Sequence, residues 1–142
     1  MTSVLDRFLK YVQYDTQSDD ASTTYPSTPK QTVLLRDLVD ELRSVGIADA
    51  AIDDYGYVMA TIPSTTRKPS VPVIGFIAHV DTSPEISGAG VLPIVHRDYD
   101  GGDLVLPGDP SAVLRLADHP PLAEQIGHDI VPPPRHHRPA AR

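Results

Sequence analysis

The segment Val71–Ala78, VPVIGFIA, is the longest apolar run in the chain, and it ends abruptly at His79-Val80-Asp81-Thr82-Ser83-Pro84. A continuous apolar run of this length is the pattern of a strand covered on both faces, as in an open α/β sheet. Pro72 has no amide donor, so it belongs at the first residues of such a strand or on an edge. In open α/β sheets, ligands gather beyond the carboxyl ends of the strands. The run therefore predicts an α/β fold and puts the candidate chemistry in the polar stretch that follows Ala78. It is far too short for a membrane span, which needs about 20 apolar residues.

The segments before it fit the same class. Val4, Leu5, Phe8, Leu9 and Val12 form one stripe after Ser3, which predicts a short amphipathic helix capped by that serine. Asp15–Ser27 is polar and reads as a loop. A second helix is expected with Thr28 as N-cap, Pro29 at its first position and Gln31 completing a capping box. Its apolar positions are Val33, Leu34, Leu35, Leu38, Val39, Leu42 and Val45, and Gly46 is placed to end it. Ala51-Ile52, the turn Asp54-Tyr55-Gly56 and a strand over 57–62 then predict a hairpin.

Pro63–Ser70 reads as a proline-bounded loop. Beyond residue 84 the chain is punctuated by Gly88, Gly90, Pro93, Gly101 and Gly102, with a short strand possible over 93–96. Residues 111–116 fit a short helix or a strand equally well.

Composition excludes several functions. The 142 residues suit one domain-sized soluble unit able to bury roughly 70% of its unfolded surface. There is no cysteine, hence no disulfide framework and no thiolate metal site. The N-terminus lacks the basic and apolar regions of a signal peptide, so a cytoplasmic location is expected.

The formal charge is −7, and residues 132–142 carry three arginines and no acid. That leaves 9 of the 12 basic residues against all 19 acids, a charge of −10, in residues 1–131. Such a body repels nucleic acid; neither nucleic acid nor membrane is expected as a partner.

His79 and Asp81 are two apart at a strand end and project to the same side if β geometry persists through Val80. Neutral imidazole is the commonest metal ligand, and a carboxylate often orients its ring through the other nitrogen. A bare His-x-Asp is more often a surface turn in which the side chains of Asp81 and Thr82 satisfy local backbone groups. His96, His119 and His128 have no partners at metal-site spacing. His136-His137 reads as solvated, and Asp98, Asp100, Asp103 and Asp109 lack the order of an EF-hand calcium loop.

The flanking residues tip the balance. Ile74-Gly75-Phe76-Ile77-Ala78-His79-Val80-Asp81-Thr82-Ser83-Pro84 closely resembles the first metal motif of the peptidase T family, the tripeptide aminopeptidases among the dizinc peptidases. Leu5, Arg7-Phe8-Leu9, Tyr11-Val12, Asp15-Thr16-Gln17-Ser18, Pro26-Ser27-Thr28, Gly56, Met59-Ala60-Thr61, Tyr99 and Gly101-Gly102-Asp103 match that family in order. The resemblance covers about residues 3–131 and assigns no role to Tyr99–Asp103.

It implies an α/β fold: part of a zinc-peptidase catalytic domain, an open mixed sheet with flanking helices, truncated. It also implies two zinc ions per site, His79 as a ligand to one, and Asp81 as the carboxylate holding its ring. In such sites a metal-bound water attacks the peptide carbonyl of a tripeptide, with a glutamate as general base. The bridging aspartate, the Glu-Glu pair, another aspartate ligand and a distal histidine of the family fall beyond residue 131 and have no counterpart here. Stable zinc binding and activity by this chain alone are therefore not expected.

A non-catalytic binding or regulatory module built on the half-domain is the alternative reading. Residues 1–131 are thus read as the N-terminal part of a peptidase and 132–142 as a separate tail. Because Pro, Arg, His and Ala can all be read from codons beginning with C or G, as a shifted frame through GC-rich DNA often gives, a frameshift after Val131 is the expectation for that tail. The other two nucleotide frames should then encode the family's continuation. A half-finished sheet should also leave a strand edge uncovered and favour aggregation.

Overall fold

The computed structural model describes residues 2–106 and 110–132. The tail assigned above to 132–142, apart from Pro132, lies outside the described residues, as do His136, His137 and Asp109. The chain divides into two compact units, one from residues 1–13 and 89–142 and the other from 14–88.

In the unit of residues 14–88, helix α2 (Gln31–Ser44) packs on a hairpin of β1 (Ala51–Ile52) and β2 (Val58–Met59). The hairpin is antiparallel, with Ala51 opposite Met59 and Ile52 opposite Val58. Helical spacing places Leu34, Leu35 and Val39 on one face, and all three are buried. With Ala50 they form this unit's apolar core.

The start of α2 differs from expectation. Lys30 takes the N-cap position and no side chain caps the helix. Thr28, the expected cap, instead donates its hydroxyl to the Gln17 carbonyl at 2.8 Å. The Gln31 side chain donates to Ser27 Oγ at 3.1 Å rather than closing a capping box. A tertiary bond to the 15–18 loop outcompetes the local one. At the other end Gly46, with φ +99°, terminates the helix as expected.

The hairpin turn is built by Asp53, whose Oδ1 accepts from the amides of Tyr55 (2.9 Å) and Tyr57 (2.8 Å). Gly56 follows at φ +87°. A Cβ there would lie 3.3 Å from Pro26 Cδ and 3.4 Å from Leu35 Cδ1. Gly56→Ala therefore adds close contacts to a left-handed backbone and should cost at least about 1–2 kcal/mol, read as a shift in the urea midpoint. Strand β2 is two residues long, shorter than the 57–62 predicted.

The largest departure is at 71–78. This run is not a strand and is not buried: it passes without turn or bend, and Val73 (96% exposed), Phe76 (95%) and Ile77 (100%) lie in the open. No open mixed sheet forms among the described residues. A strand covered on both faces needs flanking strands and two apolar layers, and the described residues offer it neither. The architecture is a small α/β assembly with short antiparallel strand pairs.

In the other unit, α1 (Val4–Tyr11) begins with the predicted serine cap. Ser3 Oγ accepts from the Asp6 amide at 3.0 Å, and the Asp6 carboxylate accepts from the Ser3 amide at 3.0 Å. Of its apolar stripe, Leu5 and Leu9 are half-buried, while Val4 and Phe8 are exposed.

Residues 111–116, open between helix and strand in sequence, contain β4 (Val113–Leu114), antiparallel to β3 (Leu104–Val105). Periodicity missed β3 and the 3-10 helix at Pro120–Gln125. In place of the possible strand at 93–96 there is a single antiparallel bridge, His96 to Ile130. Tyr99 is buried, and its hydroxyl donates to the Gly102 carbonyl at 2.7 Å. The Tyr99–Gly102 turn is thus closed by its own side chain.

Candidate functional site

The stretch 79–84 emerges from the exposed run and is tethered to the Asp15–Ser18 loop within the same unit. Thr82 donates its amide to the Thr16 carbonyl at 3.1 Å, and its carbonyl accepts from the Ser18 amide and hydroxyl, both at 2.9 Å. These bonds make a parallel bridge between Gln17 and Thr82. The Gln17 side chain extends it, donating to the Pro84 carbonyl at 2.7 Å. Thr16, at the centre, is buried. Sequence reasoning treated 15–18 as an ordinary polar loop. The available signal was that Asp15-Thr16-Gln17-Ser18 matched the family as a block, which a solvated loop does not require.

Lys30 locks the tether from the other side. Its ammonium lies 3.0 Å from Asp15 Oδ1 and donates to Gln17 Oε1 at 3.2 Å. The bond from Lys30 holds the Asp15 carboxyl below its ordinary value of 3.8, desolvation opposes the shift, and the Gln17 amide adds to it. A carboxyl depressed on folding stabilises the fold above its unfolded pKa, and that contribution is lost as pH falls through the lower folded value. Amide exchange at Thr82 and Ser18, corrected for its intrinsic pH dependence, should therefore accelerate as pH drops below about 3.8. Lys30→Met should weaken this acid dependence, since it removes the larger of the two groups that depress Asp15.

At the head of the tethered stretch the side chains of His79 and Asp81 meet. His79 Nδ1 lies 3.0 Å from the Asp81 carbonyl oxygen and 3.1 Å from Asp81 Oδ1. Both oxygens are acceptors when the carboxylate is ionised, so in the neutral imidazole these contacts favour the proton on Nδ1 and the lone pair on Nε2. The His79 side chain is 85% exposed and that of Asp81 47%. The arrangement presents an exposed imidazole whose Nδ1 side is held by Asp81.

The remaining candidates belong to the other unit. His96 pairs through its backbone with Ile130, and its Nε2 is buried without a partner among the described residues. His128 gives its carbonyl to the Tyr99 amide. Asp129 holds a turn: it accepts from the Asp98 amide at 3.2 Å and pairs with Arg97. Among the described residues no group of three or more His, Asp or Glu side chains is placed to hold a metal ion. No helix of the described residues is long and apolar enough to cross a membrane.

No family model matches the chain. Individual proteins do. The chain is 47% identical over 131 residues to a protein of Clostridium acetobutylicum named peptidase T, an alignment covering 92% of this chain and 32% of that protein. It is 49% identical over 128 residues to peptidase T of Geobacillus kaustophilus, covering 90% and 31%.

Its relatives are peptidases T.

The peptidase T of Listeria monocytogenes serotype 4a stands at the same level, 48% identical over 128 residues with 90% and 31% covered. The chain thus spans about a third of the length of the peptidases T it matches. Identity near one half over nine-tenths of the chain accords with the extent of the resemblance read from sequence, about residues 3–131.

Proposed function

We propose that this chain is the N-terminal portion of a zinc-dependent tripeptide aminopeptidase of the peptidase T type, acting on tripeptides in the cytoplasm. In the whole enzyme, 71–78 is a strand of an open mixed sheet with flanking helices. His79 then ligates one of two zinc ions through Nε2. The observation that supports this most directly is the exposed His79–Asp81 pair, whose contact is made through Nδ1 and so leaves Nε2 of the neutral ring for a metal, in a chain nearly half identical to peptidases T.

Asp81 acts on the ring of His79: by accepting from Nδ1–H it fixes the tautomer and raises the basicity of Nε2. The tether through Gln17, Thr82 and Lys30 holds the end of that motif. When bound, zinc supplies Lewis-acid polarisation of the peptide carbonyl and an activated water. A catalytic zinc takes about three protein ligands with one position open. The described residues assemble one, so they do not fit a complete zinc site, and no step is derived through the metal.

One result follows for the isolated chain. With added zinc it should cleave tripeptides no faster than buffer, measured by release of the N-terminal residue. Turnover that disappears in His79→Ala would show that the chain carries a complete site and would overturn the assignment of an incomplete one.

A further inference from the structure

The bridge behind the candidate site stops at a proline, and one side chain takes over from it. In a parallel pair the next donor after Thr82 to the 15–18 backbone would be the amide of residue 84. That residue is Pro84, which has no amide hydrogen, so the ladder ends there. The Pro84 carbonyl is held instead by the Gln17 side chain, whose Nε2 donates to it at 2.7 Å across a sequence separation of 67 residues.

The same side chain is gripped from its other end. Lys30 donates to Gln17 Oε1 at 3.2 Å, and its ammonium also lies 3.0 Å from Asp15 Oδ1, which accepts the Gln17 amide at 3.2 Å. The Gln17 carbonyl accepts from the Thr28 hydroxyl at 2.8 Å. Thr28 and Lys30 lead directly into α2, which is fixed on the hairpin by buried Leu34, Leu35 and Val39. Gln17 is therefore the middle member of a series of contacts that runs from that core to the backbone of 82–84, all within the unit of residues 14–88.

The position calls for a carboxamide. Its oxygen accepts and its nitrogen donates, so one planar group can face a cation on one side and a carbonyl on the other. A carboxylate of the same shape would keep the bond to Lys30 and would turn a second acceptor on the Pro84 carbonyl.

We propose that Gln17 is a positioning residue for the His79–Asp81 pair: by spanning Lys30 and Pro84 it fixes the backbone from which the pair projects. The role rests on the reading above of that pair as part of a peptidase site. Gln17 acts through the 82–84 backbone and need not touch substrate.

The test begins with nitrogen-15 relaxation of the full 142-residue chain. The amides of Asp81, Ser83 and Glu85 should be as rigid as those of α2, with order parameters of about 0.85. Gln17→Glu should lower these three toward about 0.6, the range of flexible backbone, and leave the amides of β1 and β2 and the urea midpoint unchanged. Lys30→Arg, which keeps a cation and its donors, should preserve the order, and Lys30→Met should lose part of it.

Catalysis supplies the second measurement, on residues 1–131 joined to the part of Clostridium acetobutylicum peptidase T that the chain does not cover. Gln17→Glu should lower kcat per folded molecule about tenfold or more, as a small misplacement of a reacting group does, and leave KM within about twofold. Lys30→Arg should keep the full kcat. A residue that only stabilised the fold would change the folded fraction and not the kcat of the folded molecules.

Flexible Asp81, Ser83 and Glu85 in the unsubstituted chain, unchanged order in Gln17→Glu, or a loss of order shared equally by the hairpin would each overturn the proposal. An active chimera indifferent to Gln17→Glu would overturn it while leaving the peptidase reading intact. A folded chimera inactive with Gln17 in place would overturn that reading and the role drawn from it.

Discussion

Leu35→Ala should destabilise the 14–88 unit by about 2–5 kcal/mol, the cost of removing a buried leucine from a core that cannot close the gap. Leu35 is 4% exposed, sits on the face of α2 that packs on β1 and β2, and its Cδ1 lies against the hairpin turn at Gly56. The surroundings have little with which to refill the space, since this unit's buried apolar residues are Leu34, Leu35, Val39 and Ala50. A unit of this size has about 4–11 kcal/mol of stability at the usual 0.05–0.15 kcal/mol per residue. With a core this small it belongs at the low end, and the loss is comparable to the whole. The variant should therefore be largely unfolded at 25 °C by circular dichroism. Val33→Ala, on the exposed face of the same helix, should change stability by no more than about 0.5 kcal/mol. Equal effects from the two would mean that α2 does not pack as described.

The second large effect concerns His79. When residues 1–131 are joined to the part of Clostridium acetobutylicum peptidase T that the chain does not cover, the chimera should hydrolyse tripeptides with zinc. Asp81→Ala in that chimera should cost about 10–100-fold in kcat/KM or zinc affinity, the usual effect of removing a group that orients a ligand. His79→Ala should cost more, because it removes the ligand and leaves Asp81 an unpartnered carboxylate. Asp81→Asn should fall between wild type and Asp81→Ala, since an amide oxygen can still accept from Nδ1–H. A folded, active chimera indifferent to His79→Ala would sink the metal-ligand assignment while leaving the kinship with peptidase T intact.

Where a structural signal was local, the residues alone were enough to read it. Ser3 and Asp6 announced the start of α1, Gly46 the end of α2, and Asp54-Tyr55-Gly56 the hairpin, because each acts within a few residues of itself. The cap of α2 was legible only in part. Thr28 has the right chemistry for an N-cap, but its hydroxyl is taken by Gln17, a residue 11 positions away. Nothing in the local sequence distinguishes these two outcomes. The role of Tyr99 was illegible for the same reason, although its partner at Gly102 is only three residues on. A tyrosine amid glycines and aspartates reads as solvated until 127–130 is seen to pair with 96–99.

The candidate site shows the same division. The order of residues established His79 and Asp81 as a pair of the right types at the end of an apolar run, and their ordered companions pointed to peptidase T. The fold added how the pair is held: Thr82 bridged to Thr16 and Ser18, Gln17 reaching Pro84, and Lys30 tying Asp15 and Gln17 together. It also decided the fate of 71–78, and against the pattern. Hydrophobicity dictates that this run should be covered, because exposed apolar surface is unfavourable in water. Periodicity cannot say by what. Burial depends on residues distant in sequence that supply flanking strands and apolar layers, and the described residues of this chain contain none for that run. What was local in cause could be read from the residues; what depended on a distant partner had to wait for the folded chain.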